Sequence, residues 1–85
     1  MQDVIAPVKE FILTRYLVGE DPSLLTPTTP LISGGILDSL STLELVTFLE
    51  ERFDIQLEAH EADRDRLDTL SAIAALVEAK RRSTP

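Results

Sequence analysis

The stretch of this chain best placed to do chemistry is Gly34-Gly35-Ile36-Leu37-Asp38-Ser39-Leu40. Two glycines end a loop, an Asp-Ser pair sits at the junction, and a run with helical apolar spacing begins at Leu40. Ser39 is therefore expected at the mouth of a helix, its hydroxyl clear of the core. Asp and Ser before an apolar helix are also ordinary capping residues, and on its own the tripeptide is better read as a cap. His60 is the one histidine and lies in a charged stretch, so a Ser/His/Asp set would need it to fold back onto Ser39. With no cysteine there is neither a disulfide framework nor a thiolate zinc site, and no cluster of metal ligands stands out.

The elements that position Ser39 must come from 85 residues, enough for one domain that buries about 60% of its unfolded surface. That leaves little room for a deep catalytic pocket beside a core, so an enzyme is not expected. At 44% hydrophobic the chain should fold unaided. A formal charge of −7 repels nucleic-acid phosphates and favours partners with basic docking surfaces. No apolar run approaches the roughly 20 residues that span a bilayer, and the N-terminus lacks the layout of a secretory signal. We expect a cytoplasmic monomer with no membrane attachment; Met1 and the short ends point to a discrete protein, with an excised module of a larger enzyme as the alternative.

Val4, Ile5, Val8, Phe11, Ile12 and Tyr16 recur at three- and four-residue steps and predict a helix over about 3–18. Pro7 belongs in a first turn, so regular helix is expected to settle near Ala6. The loop 19–38 carries Pro22, Pro27 and Pro30, which exclude helix and central strand. Leu24, Leu25, Leu31 and Ile32 within it are expected to pack over the core, and a loop this long is usually functional. A second helix over about 39–53 turns Leu45, Val46, Leu49 and Phe53 inward and leaves Leu40, Leu43 and Thr47 on another side beside Glu44 and Glu51. Asp54 to Leu57 alternates like a strand but has no partner, so it reads as an extended connector with Ile55 and Leu57 tucked in. A short helix over about 60–66 ends before Leu67. A last helix over about 69–82, capped by Asp68 or Thr69, buries Leu70, Ile73, Ala74, Leu76 and Val77 and closes with Lys80-Arg81-Arg82 at its negative dipole end. The sum is a single all-α domain over 1–85, three main helices and one short one, with a long loop between helices one and two.

On wider inspection, Gly34 to Leu40 resembles the attachment motif of acyl and peptidyl carrier proteins. Leu45, Leu49, Glu50, Glu51 and Phe53 fall where that family's second helix has its leucines, acids and Phe, and Ile55 and Leu57 match its apolar pair. Leu67-Asp68-Thr69-Leu70-Ser71-Ala72-Ile73 is similar to the start of its last helix, and Thr29-Pro30-Leu31-Ile32 to the segment upstream of its motif. The resemblance covers nearly the whole chain; the first helix matches only in amphipathicity. Two departures separate it from primary fatty-acid carriers. Glu58-Ala59-His60-Glu61 replaces the usual Pro-Asp-Glu-Glu run, and the Phe53 to Thr69 spacing is longer, closer to discrete carriers of nonribosomal peptide or polyketide pathways.

The resemblance implies an acyl-carrier-like bundle with 4′-phosphopantetheine from coenzyme A attached to Ser39, holding acyl or aminoacyl groups as thioesters. It implies as partners a phosphopantetheinyl transferase, an acyl- or aminoacyl-activating ligase or adenylation enzyme, and downstream synthase, transferase or tailoring enzymes. Secondary metabolism is favoured over primary fatty-acid synthesis; the alternative from another class is an unmodified helical interaction module. In the family the Asp38 position lies near the transferase's metal ion. Partner contact is expected at Asp38, Leu40, Leu43, Glu44, Thr47 and Glu51, because exposed aliphatics beside an attachment site need a reason. Six acids against Arg52 between Asp38 and Glu58 would steer basic partners, more weakly in salt.

Overall fold

The computed structural model describes residues 2–58 and 60–83, and the side chains of 3–58 and 60–82. Four α-helices follow in order: α1 Gln2–Arg15, α2 Ser39–Phe53, α3 Arg64–Leu67 and α4 Leu70–Ser83, with a 3-10 turn at Pro22–Leu24. Among the described residues there is no strand. The all-α expectation holds.

The core forms where the periodic stripes meet. Val4, Val8 and Ile12 of α1, Leu45 and Leu49 of α2, and Leu70, Ile73, Ala74, Leu76 and Val77 of α4 are all buried. Leu25, Leu31, Leu37, Ile55 and Leu67 join from the connections. The long loop thus contributes three leucines to the same core that the helices build, whereas Leu24, expected to pack, stands 62% exposed. Val46 and Phe53 only lean on the core, as do Phe11, Phe48, Tyr16 and Leu57. The Phe11 and Phe48 rings stack with centroids 4.3 Å apart and tie α1 to α2.

The boundaries of three helices differ from expectation. Helix α1 is regular from Gln2 and runs through Pro7, which forgoes one bond to the Asp3 carbonyl, instead of settling near Ala6. It ends at Arg15 and not at 18, because the Leu17 N–H reaches back five residues to Ile12 O and Gly19 takes φ 84°. The short helix is Arg64–Leu67 rather than 60–66: Asp63 caps it by accepting from the Arg66 N–H at 3.0 Å, and Leu67 is its buried anchor. Helix α4 starts at Leu70, with the Thr69 hydroxyl accepting from the Ala72 N–H. Asp68 is therefore not its cap; its carboxylate is engaged elsewhere.

Acidic side chains also hold connections in place. Asp54 ends α2 in the left-handed conformation (φ 55°), and the Glu50 carboxylate accepts from the Leu57 N–H at 3.0 Å, drawing the connector back onto α2. Lys80 on α4 pairs with Glu61 at 2.9 Å. Arg81 bridges Asp3 of α1 and Glu78.

Candidate functional site

The loop ahead of α2 is anchored at both ends by burial. Leu31 and Leu37 are in the core, and the Leu37 N–H donates to Leu31 O at 2.9 Å, closing the intervening residues into a compact turn. Within it the Gly35 N–H donates to Ile32 O, and Gly35 adopts φ 85°, a conformation that costs glycine little. Asp68 fastens this turn to the α3–α4 junction. One carboxylate oxygen accepts from the Ile32 N–H (2.7 Å) and the Ser33 N–H (2.9 Å), the other from the Ser33 hydroxyl (2.7 Å), while the Asp68 carbonyl accepts from Leu31 N–H at 2.6 Å. The Ser33 backbone N–H, then its hydroxyl, then the Ile32 N–H and the positive charge of Arg64 hold the Asp68 carboxyl below its ordinary value.

Directly after the turn, Asp38 is the N-cap of α2, its carboxylate accepting from the Ser41 N–H at 2.8 Å. That backbone bond, with the Ser41 hydroxyl, pulls the Asp38 pKa down and keeps it ionised at neutral pH. Ser39 is the first helical residue and is exposed. It borders an open groove of about 620 Å³ lined by Ile32, Leu37, Asp38, Thr42, Leu43 and Arg64. The hydroxyl is thus accessible to an external catalyst, and the surrounding groove has apolar walls with one cation and one anion. The Ser39 hydroxyl is not buried, and the groove beside it holds both the Asp38 carboxylate and the Arg64 guanidinium, a surface that a phosphate-linked flexible arm would fit.

The other residues singled out in the sequence fall into two groups. Leu40 and Leu43 are 68% and 65% exposed, next to Ser39 in sequence. Glu44, Thr47 and Glu51 line a second groove, about 490 Å³, between α1 and α2 with Phe11, Arg15, Phe48 and Arg52. There Glu44 accepts from the Tyr16 hydroxyl at 2.7 Å; partial burial first, then this carboxylate, raises the tyrosine pKa. Thr47 donates to its own helix at Leu43 O. His60 is exposed and lines neither groove. Among the described residues no group of three or more His, Asp and Glu is placed to hold a metal ion, and no helix is long and apolar enough to cross a membrane.

Arg64 and Asp68 were not expected at this site. Nothing local marks them: Asp68 meets Ile32 across 36 residues of chain, and Arg64 reads as one more charge in a charged segment. The only hint was that Leu67-Asp68-Thr69-Leu70 belongs to the stretch carrying the family resemblance.

Comparison with known proteins bears on the same residues. The family model described as "Phosphopantetheine attachment site" matches residues 15–77, from the end of α1 through most of α4. The D-alanyl carrier protein of Leuconostoc citreum (strain KM20) is 38% identical over 73 residues, covering 84% of this chain and 92% of that protein. The D-alanyl carrier protein of Streptococcus sanguinis (strain SK36) is 40% identical over 71 residues, with 84% and 86% covered. That of Streptococcus thermophilus (strain CNRZ 1066) has the same identity and coverage. An accessible serine on a capped helix, in a chain matched over most of its length, leaves little freedom of interpretation: this protein belongs to the acyl and peptidyl carrier family, a non-catalytic carrier working through covalently attached 4′-phosphopantetheine.

Proposed function

We propose that Ser39 is the attachment residue and that the arm carries an aminoacyl group, with D-alanine the first cargo to test. The observation that carries the reading is the placement of Ser39: exposed, first in α2, behind the ionised Asp38 cap, and inside the residues matched by the family model. In the loading step the Ser39 oxygen bonds to the β-phosphorus of coenzyme A. The bond from that phosphorus to the oxygen bridging to the α-phosphate breaks, adenosine 3′,5′-bisphosphate leaves, and the hydroxyl proton passes to a base of the transferase. The attached arm supplies a thiol that holds the cargo as a thioester. The chain itself has no cysteine to intercept it.

The D-alanine reading is supported by the three named relatives, all of them D-alanyl carrier proteins. An amino-acid-activating ligase is then the loading partner, and Asp38, Leu40 and Leu43 present the surface nearest the arm. Glu44, Thr47 and Glu51 extend that surface toward α1. The protein acts as one domain over 1–85, monomeric and cytoplasmic. A second reading, a discrete carrier of a nonribosomal peptide or polyketide pathway, draws on the long Phe53 to Thr69 spacing and also takes activated acids.

The test is loading of the arm-bearing protein with radiolabelled substrates. With a D-alanine-activating ligase and ATP, hydroxylamine-releasable label is expected on the protein and absent from Ser39→Ala. Loading only by an adenylation enzyme for another amino acid would favour the second reading. Loading only by a fatty-acyl ligase would contradict both.

A further inference from the structure

The groove beside Ser39 contains a charge that attachment alone does not require. Arg64 lines it together with Ile32, Leu37, Thr42 and Leu43, and it is the one cation among the lining residues. Its side chain is exposed and, among the described residues, makes no hydrogen bond or ion pair, although its field reaches Asp68. Asp68 already accepts three hydrogen bonds from the Ile32 and Ser33 donors, and Arg64 makes none to it. Asp38 is turned into its own helix by the Ser41 N–H. Arg64 is thus left as a guanidinium facing the attachment oxygen's groove in a chain of charge −7.

We propose that Arg64 is a positioning residue for the arm: its guanidinium pairs with the phosphodiester on Ser39 and lays the pantetheine along the groove against Ile32, Leu37 and Leu43. This rests on Ser39 being the attachment residue. The occupant is set by tether and charge. Whatever is bonded to Ser39 begins in this groove, its first group is an anion, and a guanidinium forks onto phosphate oxygens through two parallel donors. The gem-dimethyl and methylene groups that follow match the apolar wall. An exposed ion pair is weak, so the arm exchanges between docked and free states, as a shuttle needs.

The experiment compares apo and arm-bearing forms of the wild type, Arg64→Gln and Arg64→Lys, each made with a phosphopantetheinyl transferase and checked by peptide mass for the Ser39 adduct. NMR then reads the phosphorus shift, the backbone amides, and nuclear Overhauser contacts from the pantetheine methyls. In the wild type, attachment is expected to move Ile32, Thr42, Leu43 and the Arg64 side-chain Nε–H, with contacts to the Leu37 and Leu43 methyls. Arg64→Gln should lower the docked-to-free ratio about two- to fivefold, the range an exposed ion pair supports. Arg64→Lys should restore part of it, and the apo spectra of all three should agree outside residue 64's neighbours. A protein that gains no arm on Ser39 overturns the attachment reading and this proposal with it. An arm that is attached but perturbs only Ser39 and its sequence neighbours, or perturbs Arg64→Gln as it does the wild type, overturns this proposal alone.

Discussion

Gly34→Ala tests how the loop delivers Ser39. A Cβ on Gly34 would collide with the Pro30 carbonyl oxygen and press on the Pro30 carbonyl carbon and Cγ, at 3.2 and 3.3 Å. The obstacle is mostly backbone, so the chain must move, and Pro30 is bonded to Leu31, whose N–H donates to Asp68 O and whose carbonyl accepts from Leu37. Overpacking costs about 1–3 kcal/mol and a strained hydrogen bond about another 1, giving about 2–4 kcal/mol. A chain of this length has a total of roughly 4–13 kcal/mol, so the loss is large. Gly35→Ala is the internal comparison. Its Cβ meets nothing within 4 Å, and only the positive φ opposes it. That costs about 1–2 kcal/mol and is offset by about 0.4–1 from the stiffer unfolded chain, a net of about 0–1.6 kcal/mol. Urea denaturation followed by circular dichroism ranks the two, and amide shifts of Leu31, Leu37 and Asp68 locate the disturbance. If Gly35→Ala were as damaging as Gly34→Ala, or if Gly34→Ala left those shifts in place, the steric account would be refuted.

Three further outcomes follow from other parts of the same assembly. The Asp68 pKa lies below its ordinary value of 3.8, so its hold on the loop is fully present above that pH and is lost as pH falls through the lowered folded value. Asp68→Asn should therefore be less stable than wild type at pH 7, with the gap closing toward pH 3; a gap that stays constant over that range would sink the assignment. Leu37, 2% exposed and two residues before Ser39, should cost about 2–5 kcal/mol when cut to Ala, read from the thermal midpoint. Leu43→Ala, at a 65% exposed position, should change stability by less than about 0.5 kcal/mol yet slow transferase or ligase turnover at subsaturating carrier. Unchanged turnover would remove Leu43 from the docking surface.

What could be read from the chain was whatever repeats or sits next to itself. Leu45 and Leu49, and Ile73, Ala74 and Val77, declare their faces by spacing, and Asp38-Ser39 declares a helix start. Long-range bonds leave no such trace. The Asp68 carboxylate looked like a cap because caps are local, but two backbone donors and a hydroxyl from the turn at Ile32 and Ser33 offer it more than the α4 N-terminus does. Glu50 reads as one of the six acids that steer basic partners, although its carboxylate accepts from the Leu57 N–H seven residues on. Helix ends shifted for the same reason: Gly19 and Asp63 decide them through geometry that periodicity does not encode. Arg64, the first residue of α3, lines the Ser39 groove only through the tertiary fold, which no pattern in Arg64–Leu67 foretells.

The central claim is that Ser39 bears the arm. Intact mass after incubation with coenzyme A, magnesium ion and a promiscuous phosphopantetheinyl transferase tests it most directly, followed by peptide mapping. The account predicts a gain of one phosphopantetheine on the peptide containing Ser39 and none on Ser39→Ala. A folded wild-type protein that gains nothing, or a Ser39→Ala variant that is still labelled, would contradict it.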